Sequence, residues 1–318
     1  MTLLYTSPHF LDHVTRPHPE SPRRLSAIAL RLKSQGWPER CTTPEWKRAT
    51  HDELMAVHQR DYLLHIEAFC REGGGHADSD TVVCEESFDV ALLAAGAVCD
   101  AVRRVTAGED QTALCLVRPP GHHAMPHHAM GFCLLGNAAI AARLAVDALG
   151  LDRVMVIDWD VHHGNGTQAM CYDDPRIGFF SAHRWPFYPG SGDADETGRG
   201  DGLGATHNMP VRFGTSRRDY LTRFTNELEQ FADRIKPQLV IISAGFDAHH
   251  QDPVGSLGLE SEDFVAMTQA VRNVAATHAG GRIVSTLEGG YNIRVLAECV
   301  CLHLGELFTE SSADSVGE

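Results

Sequence analysis

The amino-acid sequence predicts a single α/β domain in which helices cover both faces of a mostly parallel sheet. Short apolar runs alternate along the chain with longer periodic segments, as strands and helices do in consecutive βαβ units. The apolar runs are also unbroken, such as VMVI in RVMVIDWDVHHGNGTQ, and this is typical of strands that are buried on both faces. With 318 residues, 43% of them hydrophobic, the chain is long enough to bury a large core.

Five strands are predicted from apolar runs that end in polar or glycine-rich residues. Their ranges are 112–117, 153–160, 177–183, 238–247 and the first part of 282–292. The intervening segments favour helices, which are predicted at about 136–149, 217–235, 261–279 and about 293–307. Residues 1–90 are more irregular, although residues 21–36 have the Ser-Pro start and the terminal glycine of a helix.

The bulk composition argues against several classes of function. The net charge is −15, from 27 Lys and Arg against 42 Asp and Glu, so a nucleic-acid binder with a basic face is not expected. No apolar run approaches the roughly 20 residues that span a bilayer, and no signal peptide is recognised at the start. The nine cysteines include no C-x-x-C pair, so neither a disulfide framework nor a thiolate zinc site is expected. We therefore expect a cytoplasmic protein without a membrane partner.

Polar residues follow the predicted strands at one end of the sheet. In open α/β sheets, ligands bind beyond the carboxyl ends of the strands, so five separate loops are expected to meet at one site. The 19 histidines add to this pattern, because eight of them form adjacent pairs and suggest metal binding or proton transfer. The pairs are His122-His123, His127-His128, His162-His163 and His249-His250.

Two aspartates and a histidine alternate at the end of the second predicted strand. Asp158, Asp160 and His162 point the same way if the chain stays extended, because side chains at i and i+2 share a face. Asp247 ends another apolar run. A catalytic zinc site usually has three protein ligands and an open position, which Asp160, His162 and Asp247 could supply. A purely structural pairing of carboxylate and histidine is the alternative, and the spacing alone does not separate the two.

The stretch RPPGHHAMPHHAMGFCLLGN places two histidine pairs in one loop. Pro119 and Pro120 stiffen the chain before His122 and His123, which could handle protons beside a metal-activated water. Asp158 is a candidate to orient one of these imidazoles. A structural role is the alternative for each histidine, and the pair at 127–128 is expected to be merely exposed.

The stretch LEGGYN completes the set. Gly289 and Gly290 allow close approach to a ligand, and Tyr291 could donate a hydrogen bond to a developing oxyanion. A tyrosine packed on a loop surface is the alternative. Together the motifs indicate metal-assisted hydrolysis, with a histidine base and a tyrosine electrophile.

Six ordered motifs resemble the zinc-dependent histone deacetylase family, in particular its class II-like bacterial histone deacetylase-like amidohydrolases. The motifs are RPPGHHA, GFCLLGN, DWDVHHGNGTQ, HRWPFYPGSGD, SAGFDAHHQDP and LEGGYN. The resemblance runs from about residue 5 to about residue 307. It implies one catalytic domain over residues 1–310, with an arginase–deacetylase type α/β/α fold and a sheet of about eight strands. Residues 311–318 are expected to form a polar tail.

The resemblance also implies two kinds of cation. The expected zinc ligands, for which ferrous iron is an alternative, are Asp160, His162 and Asp247. A structural potassium ion is expected nearby. Its implied ligands are Asp158, Ser181 and Ala182, with the main-chain oxygens of Asp160 and His162.

Further roles implied by the resemblance concern catalysis. His122 and His123 form the family's tandem pair, with His123 as general base and acid. Asp158 is expected to hold a charged His122. Asn165 occupies the position of a residue that faces the second histidine, and Tyr291 polarises the acyl carbonyl.

The resemblance predicts a narrow substrate tunnel. Phe132 and Phe187 match its aromatic walls, whereas Tyr188 is a departure from the usual Phe-Phe pair and leaves acyl-chain preference open. Asp80 matches the rim residue that holds a substrate amide. Val254 occupies a position where polyamine-selective members carry Glu. Gly131 and Gly289 are also expected at the substrate site.

The sequence thus predicts an enzyme that removes acetyl or other acyl groups from lysine side chains of proteins or peptides. Metal-activated water would attack the amide. Deacetylation of acetylpolyamines or other small acetylated amines is the alternative. A non-catalytic acetyl-lysine reader would be expected to lack a metal ligand or Tyr291, and all four residues are present. The oligomeric state stays open.

Overall fold

The protein folds around one seven-stranded sheet. The computed structural model describes residues 2–15 and 17–308. The strands are β1 (Thr2–Tyr5), β2 (Gly75–His76), β3 (Val82–Val83), β4 (Thr112–Cys115), β5 (Val154–Asp158), β6 (Ile177–Arg184), β7 (Thr206–Val211), β8 (Leu239–Ala244) and β9 (Ile283–Leu287). The helices are α1 (Arg23–Ser34), α2 (Trp37–Arg40), α3 (His51–Met55), α4 (Arg60–Arg71), α5 (Ser87–Ala107), α6 (Asn137–Asp147), α7 (Asn165–Cys171), α8 (Arg217–Ile235), α9 (Ser261–His278) and α10 (Ile293–Leu307).

The strand order in the large sheet is β1-β4-β9-β8-β5-β6-β7, and every pair is parallel. Strands β4, β5, β8 and β9 are buried along their whole length. The remaining strands, β2 and β3, form a separate antiparallel pair. Because the strands of the large sheet are parallel, the loops after β4, β5, β8 and β9 all leave the same edge.

Helices pack in two groups that fit the two faces of the sheet. In the first group, α1 packs against α10, α10 against α9, and α9 against α8. In the second group, α5 packs against α4 and α6, and α6 also contacts α3 and α7. This arrangement confirms the predicted α/β class with helices on both faces and a parallel sheet. Within the described residues, no helix is both long and apolar enough to cross a membrane.

Most predicted elements lie where the sequence placed them. Helices α8 and α10 match residues 217–235 and 293–307. Where the resemblance implies about eight strands, the large sheet described here has seven. The irregular segment 1–90 contains an unpredicted strand, β1, and an unpredicted amphipathic helix, α4. Strand β1 is only four residues long, so its local pattern is too short to identify it. The expected tail at 311–318 lies outside the described residues.

Candidate active site

Asp160, His162 and Asp247 meet beyond the carboxyl ends of β5 and β8. One ligand atom from each lies within 4.8 Å of those of the other two. The Nδ1 atom of His162 is 2.9 Å from Oδ1 of Asp160 and 3.1 Å from Oδ2 of Asp247. All three side chains are buried. Residues separated by more than 80 positions therefore form one compact cluster, because β5 and β8 are neighbours in the sheet.

Backbone N–H groups hold the two carboxylates in place. Val161 donates to Oδ1 of Asp247 at 2.9 Å, and Gly289 donates to Oδ2 of Asp160 at 2.8 Å. A Cβ atom on Gly289 would lie 2.4 Å from Oδ2 of both aspartates, so glycine is required for this approach. Loops after β5, β8 and β9 thus enclose the same few atoms.

The cluster fits a divalent metal ion. Oδ2 of Asp247 is buried in the cluster and lies 3.1 Å from Nδ1 of His162. Burial and the negative charge of Asp160 raise the pKa of Asp247. Burial opposes protonation of His162, but hydrogen bonds to the two aspartates raise its pKa to about 10. Concentrated negative charge with two oxygen donors and one imidazole suits zinc or ferrous iron.

The tandem histidines lie beside this cluster and have different partners. Nδ1 of His122 is 3.0 Å from Oδ2 of Asp158, and Nδ1 of His123 is 2.7 Å from Oδ1 of Asn165. The ring centroids of the two histidines are 4.0 Å apart. Nε2 of His122 is 3.8 Å from Oδ1 of Asp160. One imidazole therefore faces a carboxylate and the other an amide.

This difference separates the proton affinities of the pair. Burial alone would lower the pKa of His122, but the charges of Asp158 and Asp160 raise it well above its usual value. Burial, together with the positive charges of His122 and His162, lowers the pKa of His123 well below its usual value. The arrangement thus favours a charged His122 next to a neutral His123.

Glu288, which we did not select from the sequence, fixes the backbone of the tandem histidines. Its Oε2 atom accepts hydrogen bonds from the N–H groups of Gly121 at 2.7 Å and His122 at 3.2 Å. Burial raises the pKa of Glu288 to about 7. Glu288, directly after β9, thereby connects the loop that follows β9 with the loop that follows β4. Its place in LEGGYN, directly before the glycines, was the one available signal.

Tyr291 lines the same pocket as His123 and His162 and is held through its backbone. Oδ2 of Asp252 accepts the N–H of Tyr291 at 2.7 Å, while Oδ1 accepts the N–H of Val254 at 2.9 Å. The guanidinium of Arg24 lies over the Tyr291 ring, 5.1 Å from its centroid. Burial and the charge of Asp247 raise the tyrosine pKa well above its usual value. The phenol therefore stays protonated and can donate a hydrogen bond. Neither Asp252 nor Arg24 was selected from the sequence.

All the predicted substrate residues except Gly289 line one pocket with a volume of about 220 Å³. Its lining residues are Asp80, His123, Gly131, Phe132, His162, Phe187, Tyr188, Val254 and Tyr291. The ring of Phe187 stacks on His162 with centroids 5.2 Å apart, and the ring of Tyr188 meets His123 edge-on at 5.2 Å. Gly289 borders the metal-ligand cluster rather than the pocket wall. The pocket is thus bordered by one histidine of the tandem pair, by the histidine of the metal-ligand cluster and by Tyr291.

The positions expected to bind potassium lie on the adjacent strands β5 and β6. Asp158 and Ser181 are paired in register, and Ala182 follows. Oδ1 of Asp158 accepts the N–H of Asp160 at 3.1 Å, and the Ser181 hydroxyl is 2.9 Å from Nδ1 of His183. Asp158 thus lies beside Ser181 of β6 in the sheet, and a potassium ion at these positions stays a prediction.

Two other histidine pairs lie outside the pocket. His127 and His128 are exposed, as expected, and line a separate groove with a volume of about 360 Å³. His250 is paired with Glu260 at 3.2 Å, and the neighbouring His249 is buried.

Comparison with known proteins places this chain and its fold in one family. A model of the histone deacetylase domain matches residues 18–307. The histone deacetylase-like amidohydrolase of Pseudomonas aeruginosa is 38% identical over 296 residues, which cover 93% of this chain and 77% of that protein. The crystal structure of the HDA15 HD domain aligns with a TM-score of 0.90 and 36% identity, covering 96% of this chain and 89% of that one. The chain therefore belongs to the histone deacetylase family of hydrolases.

A second similar protein widens the range of substrates to consider. The polyamine deacetylase HDAC10 of Homo sapiens is 40% identical over 296 residues, which cover 89% of this chain but 44% of that protein. Relatives of this chain thus include proteins named for deacetylation of polyamines as well as proteins named for histones.

Proposed function

We propose that the protein removes acetyl groups from lysine side chains of proteins or peptides by metal-assisted hydrolysis. The observation that carries this proposal is the meeting of three prospective metal ligands with two histidines that have different partners, beside a pocket lined by His123, His162 and Tyr291. A pocket of about 220 Å³ bordered by aromatic rings suits an extended aliphatic chain that ends in an amide.

We assign Asp160, His162 and Asp247 as the ligands of a zinc ion, with ferrous iron as the alternative. The ion would polarise the acyl carbonyl and lower the pKa of water. The convergence of two buried carboxylates on one imidazole supports the assignment, since buried charges are costly unless they are paired or bind a metal. Asp158, Ser181 and Ala182 are the proposed side-chain and main-chain partners of a structural potassium ion, with the main-chain oxygens of Asp160 and His162.

His123 is the proposed general base, and afterwards the acid that protonates the leaving amine. Its lowered pKa keeps Nε2 free to accept a proton at neutral pH. The amide oxygen of Asn165 accepts the Nδ1–H of His123, which orients the ring without adding a charge. His122, paired with Asp158, stays positively charged and contributes to the electrostatic field.

Tyr291 is the proposed oxyanion donor. Its phenol stays protonated because burial and nearby carboxylates oppose ionisation. A neutral hydroxyl directed at a developing negative charge accelerates acyl transfer more than it aids substrate binding.

The pocket entrance favours a peptide over a polyamine. Val254 lines the entrance and offers no charge to a secondary ammonium group. Asp80 also lines it, and its Oδ1 accepts the Gly131 N–H at 3.2 Å, which fixes a carboxylate at the wall where a substrate amide could bind. A small acetylated amine is the second candidate, because the chain carries a net charge of −15 and one similar protein is named a polyamine deacetylase.

The test is a comparison of kcat/KM on zinc-loaded protein between an acetyl-lysine peptide and an acetylated polyamine. We expect the peptide to be the better substrate and Tyr291→Phe to lower kcat by about 100-fold. Turnover of neither substrate, or a Tyr291→Phe variant as active as the wild type, would refute the proposal. Preference for the polyamine would establish the second candidate.

A further inference from the structure

Arg184, the last residue of β6, lies between two aromatic side chains near the pocket. Its guanidinium carbon is 4.1 Å from the ring centroid of Phe187 and 4.5 Å from that of Phe213. The Phe187 ring in turn stacks on His162 with an angle of 15° between the ring planes. A continuous series of contacts therefore runs from the carboxylate cluster through Phe187 and Arg184 to Phe213, which is 65% exposed.

The same guanidinium also contacts a second wall of the pocket. Nη1 of Arg184 donates to the carbonyl oxygens of Gly255 and Ser256, each at 3.3 Å. These residues directly follow Val254, which lines the pocket entrance. The backbone N–H of Arg184 donates to the carbonyl of Val161 at 2.9 Å, between two prospective metal ligands. One side chain thus joins the aromatic wall to the loop that carries Val254.

The geometry explains why arginine suits this position. A guanidinium is planar, so it can lie over a ring and still donate in its own plane to carbonyl groups. Lysine would keep the charge but could not cover two rings and two carbonyls in this way. The contacts of Arg184 with Phe187 and Phe213 are cation–π interactions, which strengthen where water is excluded.

We propose that Arg184 is a positioning residue that holds Phe187 against His162 and thereby sets the width of the pocket for the aliphatic chain of the substrate. Phe213 covers the outer side of the guanidinium and supports it. The identity of the chain in the pocket rests on the proposed function, whereas the placement of Phe187 does not. Arg184 contacts no reacting atom, so it acts through Phe187 and the loop of Val254.

The test combines kinetics with crystallography on the zinc-loaded protein. The variants are Arg184→Met, which keeps the aliphatic length, Arg184→Lys, which keeps the charge, and Phe213→Ala, which removes the exposed cover. The matched control is Arg218→Met, because Arg218 is an exposed arginine on α8. Thermal unfolding shows whether each variant is folded, and Phe213→Ala tests the proposal if the Arg184 variants are not.

We expect Arg184→Met to raise KM for the acetyl-lysine peptide by about fivefold or more while kcat changes by less than about twofold. Arg184→Lys and Phe213→Ala should each raise KM by a smaller factor than Arg184→Met does. A crystal structure of Arg184→Met should show the Phe187 ring displaced from His162. A ring that keeps its stacked position, or a loss confined to kcat, would overturn the proposal. If the wild type hydrolyses no substrate, the proposed function fails, and the position of Phe187 still decides this inference.

Discussion

Nδ1 of His123 lies 2.7 Å from Oδ1 of Asn165, whereas the adjacent His122 faces the carboxylate of Asp158. The second imidazole of the pair therefore has a neutral partner. An amide oxygen fixes the ring and its tautomer without stabilising the imidazolium form.

The first prediction follows from that neutral partner. Asn165→Asp places a negative charge at Nδ1 of His123, and an adjacent opposite charge raises a histidine pKa by about one unit or more. Because the proposed base must be unprotonated, the acid limb of the kcat/KM profile should move to higher pH by about the same amount. Asn165→Ala, which adds no charge, should lower activity without this shift. An unchanged acid limb in Asn165→Asp would show that His123 is not the base.

The second prediction concerns the proposed metal. Chelation should lower activity by at least about 100-fold, and added zinc should restore it. Zinc should also raise the Tm, because a ligand that binds only the folded state stabilises it. Asp247→Ala removes one of the three proposed metal ligands and should abolish the zinc-dependent rise in Tm. Asp195→Ala, at an exposed aspartate, serves as the control. An equal rise in Tm in wild type and Asp247→Ala would place the metal elsewhere.

Asp252 provides the third prediction, because it holds the backbone of Tyr291 at 2.7 Å and that of Val254 at 2.9 Å. Asp252→Ala leaves these partly buried N–H groups unpaired and lets the phenol move. We expect kcat to fall by about tenfold or more. Its effect should be much smaller in a Tyr291→Phe background, because the two residues act through the same hydroxyl. Fully additive losses in the double variant would assign Asp252 a role unrelated to Tyr291.

Val254 at the pocket entrance leads to the fourth prediction. Val254→Glu places a carboxylate where the secondary ammonium of a polyamine would lie. A favourable charge interaction of about 1.4 kcal/mol corresponds to a tenfold gain, so kcat/KM for an acetylated polyamine should rise about tenfold relative to the peptide. Val254→Gln, of similar shape but uncharged, should leave the ratio near that of the wild type. A ratio that changes equally in both variants would mean that shape, rather than charge, controls selection.

The fifth prediction concerns stability. The buried carboxylate of Glu20 pairs with Arg118, and its Oε2 atom lies 2.7 Å from Nη2. Arg24 contacts the same carboxylate at 3.2 Å and donates to the carbonyl of Gly290 at 2.7 Å, next to Tyr291. Removing one partner of a buried pair typically costs about 3 kcal/mol. Glu20→Gln should therefore lower the free energy of unfolding at pH 7 by about that amount, and Glu229→Gln, at an exposed glutamate, should not.

The pH dependence of this effect has a definite sign. Burial opposes ionisation of Glu20, but the charges of Arg118 and His13 hold its pKa well below the usual value. Its contribution to stability is thus present above the unfolded pKa of about 4.3 and is lost as the pH falls below it. Urea unfolding at several pH values should show the difference between wild type and Glu20→Gln shrinking below about pH 4. A constant difference down to pH 3 would contradict the ionised pairing.

The candidate site was predictable from the sequence to the extent that its residues stand in local patterns. At one strand end, every second residue is polar, and this alternation identifies Asp158, Asp160 and His162. Tyr291 is identified by the two glycines that precede it in a predicted turn. The unbroken apolar strands likewise predicted a parallel sheet, and the parallel sheet implied that their outgoing loops meet.

Only the tertiary structure identified the residues that hold this site together. Glu288, Asp252 and Arg184 stand within the quoted motifs, but the motifs do not reveal their partners, because each contacts a residue of a different loop. Strand β1 was also missed, because four residues are too few to show a periodic pattern. It is held in the sheet by pairing with β4, more than 100 positions further along the chain. The sequence by itself determined which side chains could perform the chemistry, because the alternation of side chains along a strand and the formation of turns depend on neighbouring residues. The sheet order decided which distant groups support them, because contacts between remote segments depend on how the whole chain packs.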